Sequence, residues 1–205
     1  MHIPDGFLTP PVWGAAAGVS AGYLAMAVRR LRRRLEEQRL PLAGVLAAFI
    51  FAAQMLNFPV APGASGHFLG STLATLLFGP WQAGLIMSVI LIIQAFVFMD
   101  GGVTTLGANI LNMAIIAPWV SWALLRAVRG RPGIFVPSWA AVVAGALACG
   151  LELSLSGLVS WRLALPAIVG WHALIGVGEG LITLAVAAYL VRAQVDLGEG
   201  GTGTW

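Results

Sequence analysis

The chain has 205 residues, of which 59% are hydrophobic and only 9% are charged, and its mean hydropathy is +0.90. Soluble domains carry roughly 25% charged residues, so this composition excludes a soluble globular protein and indicates a polytopic membrane protein. The formal net charge of +3 does not indicate nucleic-acid binding, because all eleven basic residues are arginines in a few short clusters. The single cysteine, Cys149, excludes a disulfide framework.

The first six residues, Met1 to Gly6, form a segment suited to chelating a metal ion. The α-amine, the amide nitrogen of His2 and the imidazole of His2 can close two fused chelate rings on one ion. Planar nitrogen coordination favours Ni(II) or Cu(II) over Zn(II), which prefers tetrahedral sites. Deprotonation of the amide and of the imidazolium should release protons on binding and weaken binding at acid pH. The alternative is that His2 has no function, since N-termini usually fray.

Seven apolar segments are predicted to span the membrane, which requires about 20 residues for each helix. They cover approximately residues 11–28, 41–57, 67–78, 81–98, 103–125, 137–158 and 166–191. The third and fourth segments are separated by a turn at Gly79-Pro80, and residues 57–67 are expected to form an irregular outer loop rich in proline and glycine. The fold class is therefore an all-α polytopic membrane protein that forms a single domain over residues 1–205.

Arginines indicate the orientation of the chain in the membrane. The first segment ends at a cluster between Arg29 and Arg39, and the positive-inside rule places this cluster in the cytoplasm. The N-terminus is therefore predicted to be extracytoplasmic, with residues 1–10 as the metal-chelating segment and Met1 as the mature N-terminus, since no cleavable signal peptide is evident. The C-terminus is predicted to be cytoplasmic, with residues 198–205 as a flexible tail. Arg162 is assigned to a short outer loop.

Polar residues in the outer half of the predicted bundle are candidates for the metal site. A planar site needs one more neutral nitrogen, and His67 is the candidate, because the glycine-rich loop before it allows the N-terminus to approach. Ionisable residues at membrane depth are costly and usually functional. The remaining candidates, which are predicted to support or gate the site, are Asp5, Asn57, Asp100, Asn109, Glu152, His172 and Glu179. Each of them can alternatively be a hydrogen-bond anchor between helices.

Three motifs resemble the CbiM/NikM family, the substrate-capture (S) components of energy-coupling factor transporters for cobalt and nickel. They are the opening Met-His-Ile-Pro-Asp-Gly, the NFPV…SGH stretch that ends at His67, and Trp171-His172…Gly178-Glu179. The resemblance implies a metal site made by the Met1 amine, the His2 amide and imidazole, and the His67 imidazole. It implies a multi-pass protein of the inner membrane, with Ni2+ (favoured) or Co2+ as the transported substrate, no catalytic cofactor and no enzymatic activity.

The resemblance also implies partners, namely a transmembrane coupling (T) subunit, cytoplasmic ATPase (A) subunits and possible use of a small accessory membrane subunit. A stripe of small residues on the first segment, Ala17, Ala21 and Ala25, is the predicted docking face, because small residues let helices approach closely in lipid. The alternative is that this stripe packs against the protein's own helices.

Two other functions are weighed against metal capture. The first is a stand-alone ion-driven metal carrier or channel, which ATP-independent uptake by the isolated chain would favour. The second is an intramembrane hydrolase that uses Ser65, His67 or His172. The sequence argues against a hydrolase, because it has no HExxH pair and no evident strained turn at Ser65.

Overall fold

A computed structural model describes residues 1–32, 39–128, 132–193 and 195. Its α-helices are α1 (Pro10–Leu31), α2 (Leu40–Gln54), α3 (Ser71–Val97), α4 (Leu106–Ile110), α5 (Ala117–Ala127), α6 (Pro132–Ser156) and α7 (Trp161–Arg192). A π-helical segment, Leu111–Ile116, connects α4 and α5 into one continuous rod. The predicted tail, residues 198–205, lies outside the described residues, as do two arginines of the cluster used for the orientation, Arg33 and Arg34.

Among the described residues, five helices are long and apolar enough to cross a membrane: α1, α3, the rod 106–127, α6 and α7. Helix α2 is apolar but has only 15 residues, fewer than the roughly 20 that a perpendicular span requires. The two segments predicted over 67–78 and 81–98 correspond to the two parts of α3, which begins at Ser71 and is interrupted at Gly79 (φ 73°, ψ 170°), so the predicted turn at Gly79-Pro80 is confirmed. Glycine reaches this left-handed conformation without a steric cost, and Pro80 lacks an N–H. The eight residues 71–78 before the break extend only about 12 Å.

The loop predicted to be irregular contains a β-hairpin. Strand β1 (Phe58–Ala61) pairs antiparallel with β2 (Ala64–Gly66), with Phe58 opposite Gly66 and Pro59 opposite Ser65. Gly63 makes the turn with φ 80°. The fold is therefore helical with one small hairpin, and the expectation of an irregular loop was wrong. Three or four paired residues on each strand are too few to leave a clear alternating pattern in the sequence.

Helices α6 and α7 begin about five residues earlier than predicted, so that Pro137 and Pro166 lie inside them. Each proline is the sixth residue of its helix, where it removes one main-chain hydrogen bond without ending the helix. Arg162 consequently lies in the first turn of α7 and not in an outer loop. The two helices pack antiparallel through glycines, with Gly176 against Trp139 and Gly150 against Leu165.

The N-terminal segment before α1 is inserted into this bundle. Met1 and Ile3 belong to the main hydrophobic core, together with residues of α3, the rod and α6. Helix α1 then covers the rod, where Ala17 packs directly against Gly107 of α4. The β-hairpin, the loop between α3 and α4, and the rod therefore surround residues 1–3.

Candidate metal centre

The N-terminus brings its amine to His67. Met1, His2 and Ile3 are 0%, 3% and 0% exposed, and the Met1 amine donates to the main-chain carbonyl of Ser65 and lies 2.9 Å from Nε2 of His67. In a flat square of nitrogens about 2.0 Å from a metal ion, adjacent nitrogens are about 2.8 Å apart. The spacing between the amine and Nε2 therefore fits two adjacent corners of such a square.

The two imidazoles stack against each other. The ring centroids of His2 and His67 are 4.6 Å apart, with an angle of 26° between the planes. Nδ1 of His67 lies 2.6 Å from the main-chain oxygen of Phe68. A carbonyl oxygen can only accept a hydrogen bond, so Nδ1 carries the hydrogen and Nε2 has its lone pair free for the amine or a metal ion.

Strand β2 holds residues 1 and 2 at the site. The amide of His2 donates to Oγ of Ser65 at 3.3 Å, and the amide of Ser65 donates to the carbonyl of His2 at 3.4 Å. Ile3 is held from the opposite side by Asn109 of α4, whose Oδ1 accepts from the Ile3 amide at 2.8 Å and whose Nδ2 donates to the Ile3 carbonyl at 3.1 Å. Asn109, a predicted supporting residue, thus binds main-chain groups next to the candidate ligands.

Glycines allow the N-terminal segment to pack closely. A Cβ at Gly101 would lie 3.2 Å from Cδ2 of His2, and one at Gly102 would lie 2.3 Å from the amide nitrogen of Asp5. On the other side, a Cβ at Gly145 of α6 would meet the thioether of Met1, with Sδ at 3.0 Å. The side chain of Met1 therefore packs closely against α6 at Gly145, where a larger side chain would press on it.

Asp100 and Asn57 lie beside the imidazole of His2. Oδ1 of Asp100 is 3.5 Å from Nδ1 of His2, and its Oδ2 accepts from Nδ2 of Asn57 at 2.8 Å. The side chain of Asp100 is 15% exposed, while Asn57 is exposed. Asp100 and Asn57 were both predicted to support or gate the site, and they lie where the candidate site meets the protein surface. Asp5 is farther out and accepts hydrogen bonds from the amides of Val103 and Thr104.

Three other predicted residues are hydrogen-bond anchors. Glu179 of α7 accepts from the main-chain amides of Leu69 and Gly70, both at 2.8 Å, and so fixes the segment between His67 and α3. The other two make separate interactions, one between α6 and the rod and one within α7. Glu152 accepts from Nδ2 of Asn112 at 2.7 Å, and Nδ1 of His172 bonds the Ile168 carbonyl at 2.7 Å. Asn112 and Asn109 are one turn apart, but they bond different partners.

Burial keeps the Met1 amine and the two imidazoles uncharged at neutral pH. Desolvation lowers the pKa of the Met1 amine to about 5 and that of His2 to about 3, and it holds the pKa of His67 well below its ordinary value. Desolvation raises the pKa of Asp100, and the charge of a protonated Met1 amine acts in the opposite direction. At neutral pH the amine and both imidazoles are therefore neutral, as metal ligands must be.

The site is not one that side chains alone can make. Within the described ranges 1–32, 39–128, 132–193 and 195, no three His, Cys, Asp or Glu side chains come together as a metal site. Two of the four candidate nitrogens here belong to the main chain of residues 1 and 2. The neutral amine and imidazoles suit a transition metal ion and do not suit a hard cation such as Mg2+.

Gln94, a polar residue at the site, is absent from the sequence-based candidates. Gln94 of α3 is fully buried, and its Oε1 lies 3.1 Å from Nε2 of His2. The available signal was a carboxamide inside the apolar run ILIIQAFV, where a polar group is costly unless it is bonded. The contributions of Ser65 and of the Phe68 carbonyl left no such signal, because they depend on the main-chain path.

Long apolar helices that enclose a cluster of neutral nitrogens define a helical membrane protein with a candidate transition-metal site. Residues 2–197 match the family model described as the cobalt uptake substrate-specific transmembrane region. Over 202 residues the chain is 40% identical to a protein of Archaeoglobus fulgidus provisionally named as the fused nickel transport protein NikMN. The match covers 96% of this chain and 68% of that protein.

Two further comparisons agree. The fused nickel transport protein NikMN of Rhodobacter capsulatus is 34% identical, with 96% of this chain and 63% of that protein covered. A crystal structure of a truncated transition metal transporter superposes with a TM-score of 0.89 at 30% identity, covering 94% of this chain and 99% of the other. The chain therefore belongs to the CbiM/NikM family of cobalt and nickel transport proteins, which confirms the predicted family.

Proposed function

We propose that this chain captures a divalent transition metal ion at the extracytoplasmic face for ATP-driven import, as the S component of an energy-coupling factor transporter. Nickel is the favoured substrate and cobalt the alternative, because a plane of nitrogen donors suits Ni(II) best. The observation that carries the proposal is the 2.9 Å separation between the Met1 amine and Nε2 of His67. Family membership and the names of relatives that transport nickel support it.

The proposed ligands are four nitrogens: the Met1 amine, the amide and Nδ1 of His2, and Nε2 of His67. The amine, amide and Nδ1 form two fused rings within two residues, so the protein has to place only His67 independently. Asp100, with Asn57 bonded to it, is the proposed entry point, because its carboxylate is the negative charge next to the site. The anchors Asn109 and Glu179 hold Ile3 and the segment after His67.

The proposed orientation keeps the N-terminus outside the inner membrane and the C-terminus in the cytoplasm. In this arrangement α2 and the two parts of α3 complete seven membrane segments. The proposed partners are a T subunit, A subunits and a small accessory subunit. The last is supported by the Rhodobacter capsulatus relative, a fused protein of which the match covers 63%. Ala21 and Ala25 of α1 are exposed and remain the proposed docking face, whereas Ala17 packs against Gly107.

The structure favours neither alternative function. Oγ of Ser65 accepts the amide hydrogen of His2, and Nε2 of His67 faces the Met1 amine. The hydroxyl and the imidazole thus take part in different interactions, unlike the nucleophile and base of a hydrolase. A stand-alone carrier is tested by measuring uptake with the isolated chain, and ATP-independent uptake would support it.

The test of the metal-capture proposal is a one-residue extension. A glycine added before Met1 moves the amine away and turns the nitrogen of Met1 into an amide, so we expect Ni2+ binding and uptake to be lost. A glycine added after Trp205 is the control and should leave both unchanged. Wild-type Ni2+ affinity in the N-terminally extended protein would contradict the proposal.

Docking is tested separately on α1. Ala21→Leu should reduce co-purification with the T subunit and leave Ni2+ affinity unchanged. Ala15→Leu is the control, because Ala15 is also exposed but lies about 120° around the helix from Ala21. Equal yields of complex from both variants would reject this docking face.

A further inference from the structure

Gln94 is a fully buried carboxamide in the apolar part of α3. Its Oε1 lies 3.1 Å from Nε2 of His2, and no described residue accepts a hydrogen bond from its Nε2. Burying a carboxamide that uses only part of its bonding capacity is costly. Among the described residues, the hydrogen bond to His2 is therefore the one that the Gln94 side chain makes.

This bond determines which nitrogen of His2 carries the hydrogen. A neutral imidazole has one N–H, and a carboxamide oxygen can only accept, so Nε2 must be the donor. Nδ1 is then left with a free lone pair, and within the described chain it has no hydrogen-bond partner. Asp100, at 3.5 Å, is beyond ordinary hydrogen-bond distance for an N–H···O contact.

Only Nδ1 can complete the chelate. From the amide nitrogen of His2, the path through Cα, Cβ and Cγ to Nδ1 closes a six-membered ring with a metal ion, whereas Nε2 lies on the far side of the imidazole. We propose that Gln94 is a positioning residue that holds His2 in the tautomer with Nδ1 free, so that the ring is ready to bind a metal ion. The effect on metal binding rests on the proposed function. The tautomer of His2 rests only on the geometry of its contact with Gln94.

The carbonyl of Phe68 has the same effect on His67, whose Nδ1 it binds at 2.6 Å. Each imidazole therefore has an oxygen acceptor on one nitrogen and a free lone pair on the other. One acceptor is a side chain and the other is main chain, so only that of His2 can be removed by substitution. The main-chain oxygen of Gln94 separately accepts from the amides of Phe98 and Asp100, and a side-chain substitution leaves those bonds in place.

The test uses Gln94→Met, which has a similar length and no oxygen, and Gln94→Glu, whose carboxyl group always retains an oxygen acceptor. In the metal-free protein, the 15N spectrum of the His2 ring should show Nδ1 unprotonated in the wild type and in Gln94→Glu. In Gln94→Met we expect a mixture of tautomers, and a Ni2+ affinity about 10–100-fold lower, as is typical when a residue that orients a ligand is lost. Gln94→Glu should retain most of the affinity.

A matched control is Gln54→Met, which removes another fully buried carboxamide, one bonded to the Leu69 carbonyl. It should leave the His2 tautomer unchanged. The proposal is overturned by a protonated Nδ1 in the wild type, by an unchanged ring spectrum in Gln94→Met, or by equal losses of affinity in the Met and Glu variants. If the wild type binds no Ni2+ while Nδ1 is unprotonated, the proposed function fails and the assignment of the tautomer stands.

Discussion

The first three residues and helix α1 are neighbours in the chain, yet the protein holds them in opposite ways. Residues 1–3 have no regular secondary structure and are almost fully buried, with main-chain bonds to Ser65, Gly102 and Asn109. Helix α1 is regular over 22 residues, but only 17% of the residues in its most apolar stretch are buried inside the protein. Regular structure and burial, which usually coincide in soluble proteins, are separated here.

Main-chain hydrogen bonding explains the difference. A helix satisfies its own N–H and C=O groups and can face lipid, whereas an irregular segment at that depth must find partners elsewhere in the protein. Almost every main-chain group of residues 1–3 therefore has a specific partner, and these partners fix the amine and His2 in position. The four predictions below test this comparison between precise internal anchoring and a tolerant lipid-facing surface, beginning with the largest effect.

Removing a proposed ligand should have the largest effect. His67→Ala deletes the imidazole beside the amine, and we expect Ni2+ affinity to fall more than about 100-fold, beyond the range for orienting residues. His172→Ala is the matched control, because His172 is equally buried but bonds the Ile168 carbonyl; its effect should be less than about 10-fold. Equilibrium dialysis with Ni2+ measures both affinities. A larger loss in His172→Ala than in His67→Ala would mean that the ligand role has been assigned to the wrong histidine.

Filling the space under Met1 should displace the N-terminus. Gly145→Val places methyl groups against the thioether of Met1, and we expect Ni2+ affinity to fall about 10–100-fold. Gly150→Val in the same helix instead meets Leu165, so it should cost about 1–3 kcal/mol of stability without changing affinity. Calorimetric titration and thermal unfolding of both variants separate the two effects. Equal affinities would show that the position of Met1 does not matter for binding.

Glu179 and Glu152 test the anchoring of the segment after His67. Glu179→Gln replaces one acceptor oxygen with an NH2 group, so one buried amide of Leu69 or Gly70 loses its partner, at about 1–3 kcal/mol. Glu152→Gln retains an oxygen for Asn112 and should be nearly neutral. Thermal unfolding in detergent compares them. A larger destabilisation by Glu152→Gln would mean that the two buried carboxylates have been assigned the wrong roles.

The number of protons released on binding is the most subtle prediction. At pH 7 the Met1 amine, with its pKa near 5, and both imidazoles, with pKa values lower than usual, are already neutral. Only the amide proton of His2 remains to be released, so we expect about one proton per Ni2+. Below about pH 5 the Met1 amine becomes protonated, and this should weaken Ni2+ binding. Release of two or more protons at pH 7, measured in weakly buffered solution, would contradict the buried neutral amine.

The comparison also shows what the sequence could reveal. The pairing of the N-terminus with His67 was predictable, because two of the three chelating groups are fixed by residue 2 itself and glycines precede His67. The positions of most long helices followed from apolar composition. The acceptors that orient the rings were not predictable, since Gln94 and the Phe68 carbonyl act through a three-dimensional path that no spacing encodes.

The errors have equally physical causes. Pro137 and Pro166 suggested helix starts, but a proline at the sixth helical residue is tolerated, and so α6 and α7 begin earlier. The expected irregular loop after α2 contains a hairpin, because its short strands leave no clear alternating pattern in the sequence. Imidazolium deprotonation was expected to contribute to proton release, but burial lowers the pKa of both histidines.

The most direct test is a crystal structure of the protein loaded with Ni2+. The account predicts one ion with the Met1 amine, the amide and Nδ1 of His2, and Nε2 of His67 at the corners of one plane, each about 2.0 Å from the metal. An ion bound elsewhere, or an N-terminus that lies away from His67 in the loaded protein, would contradict it.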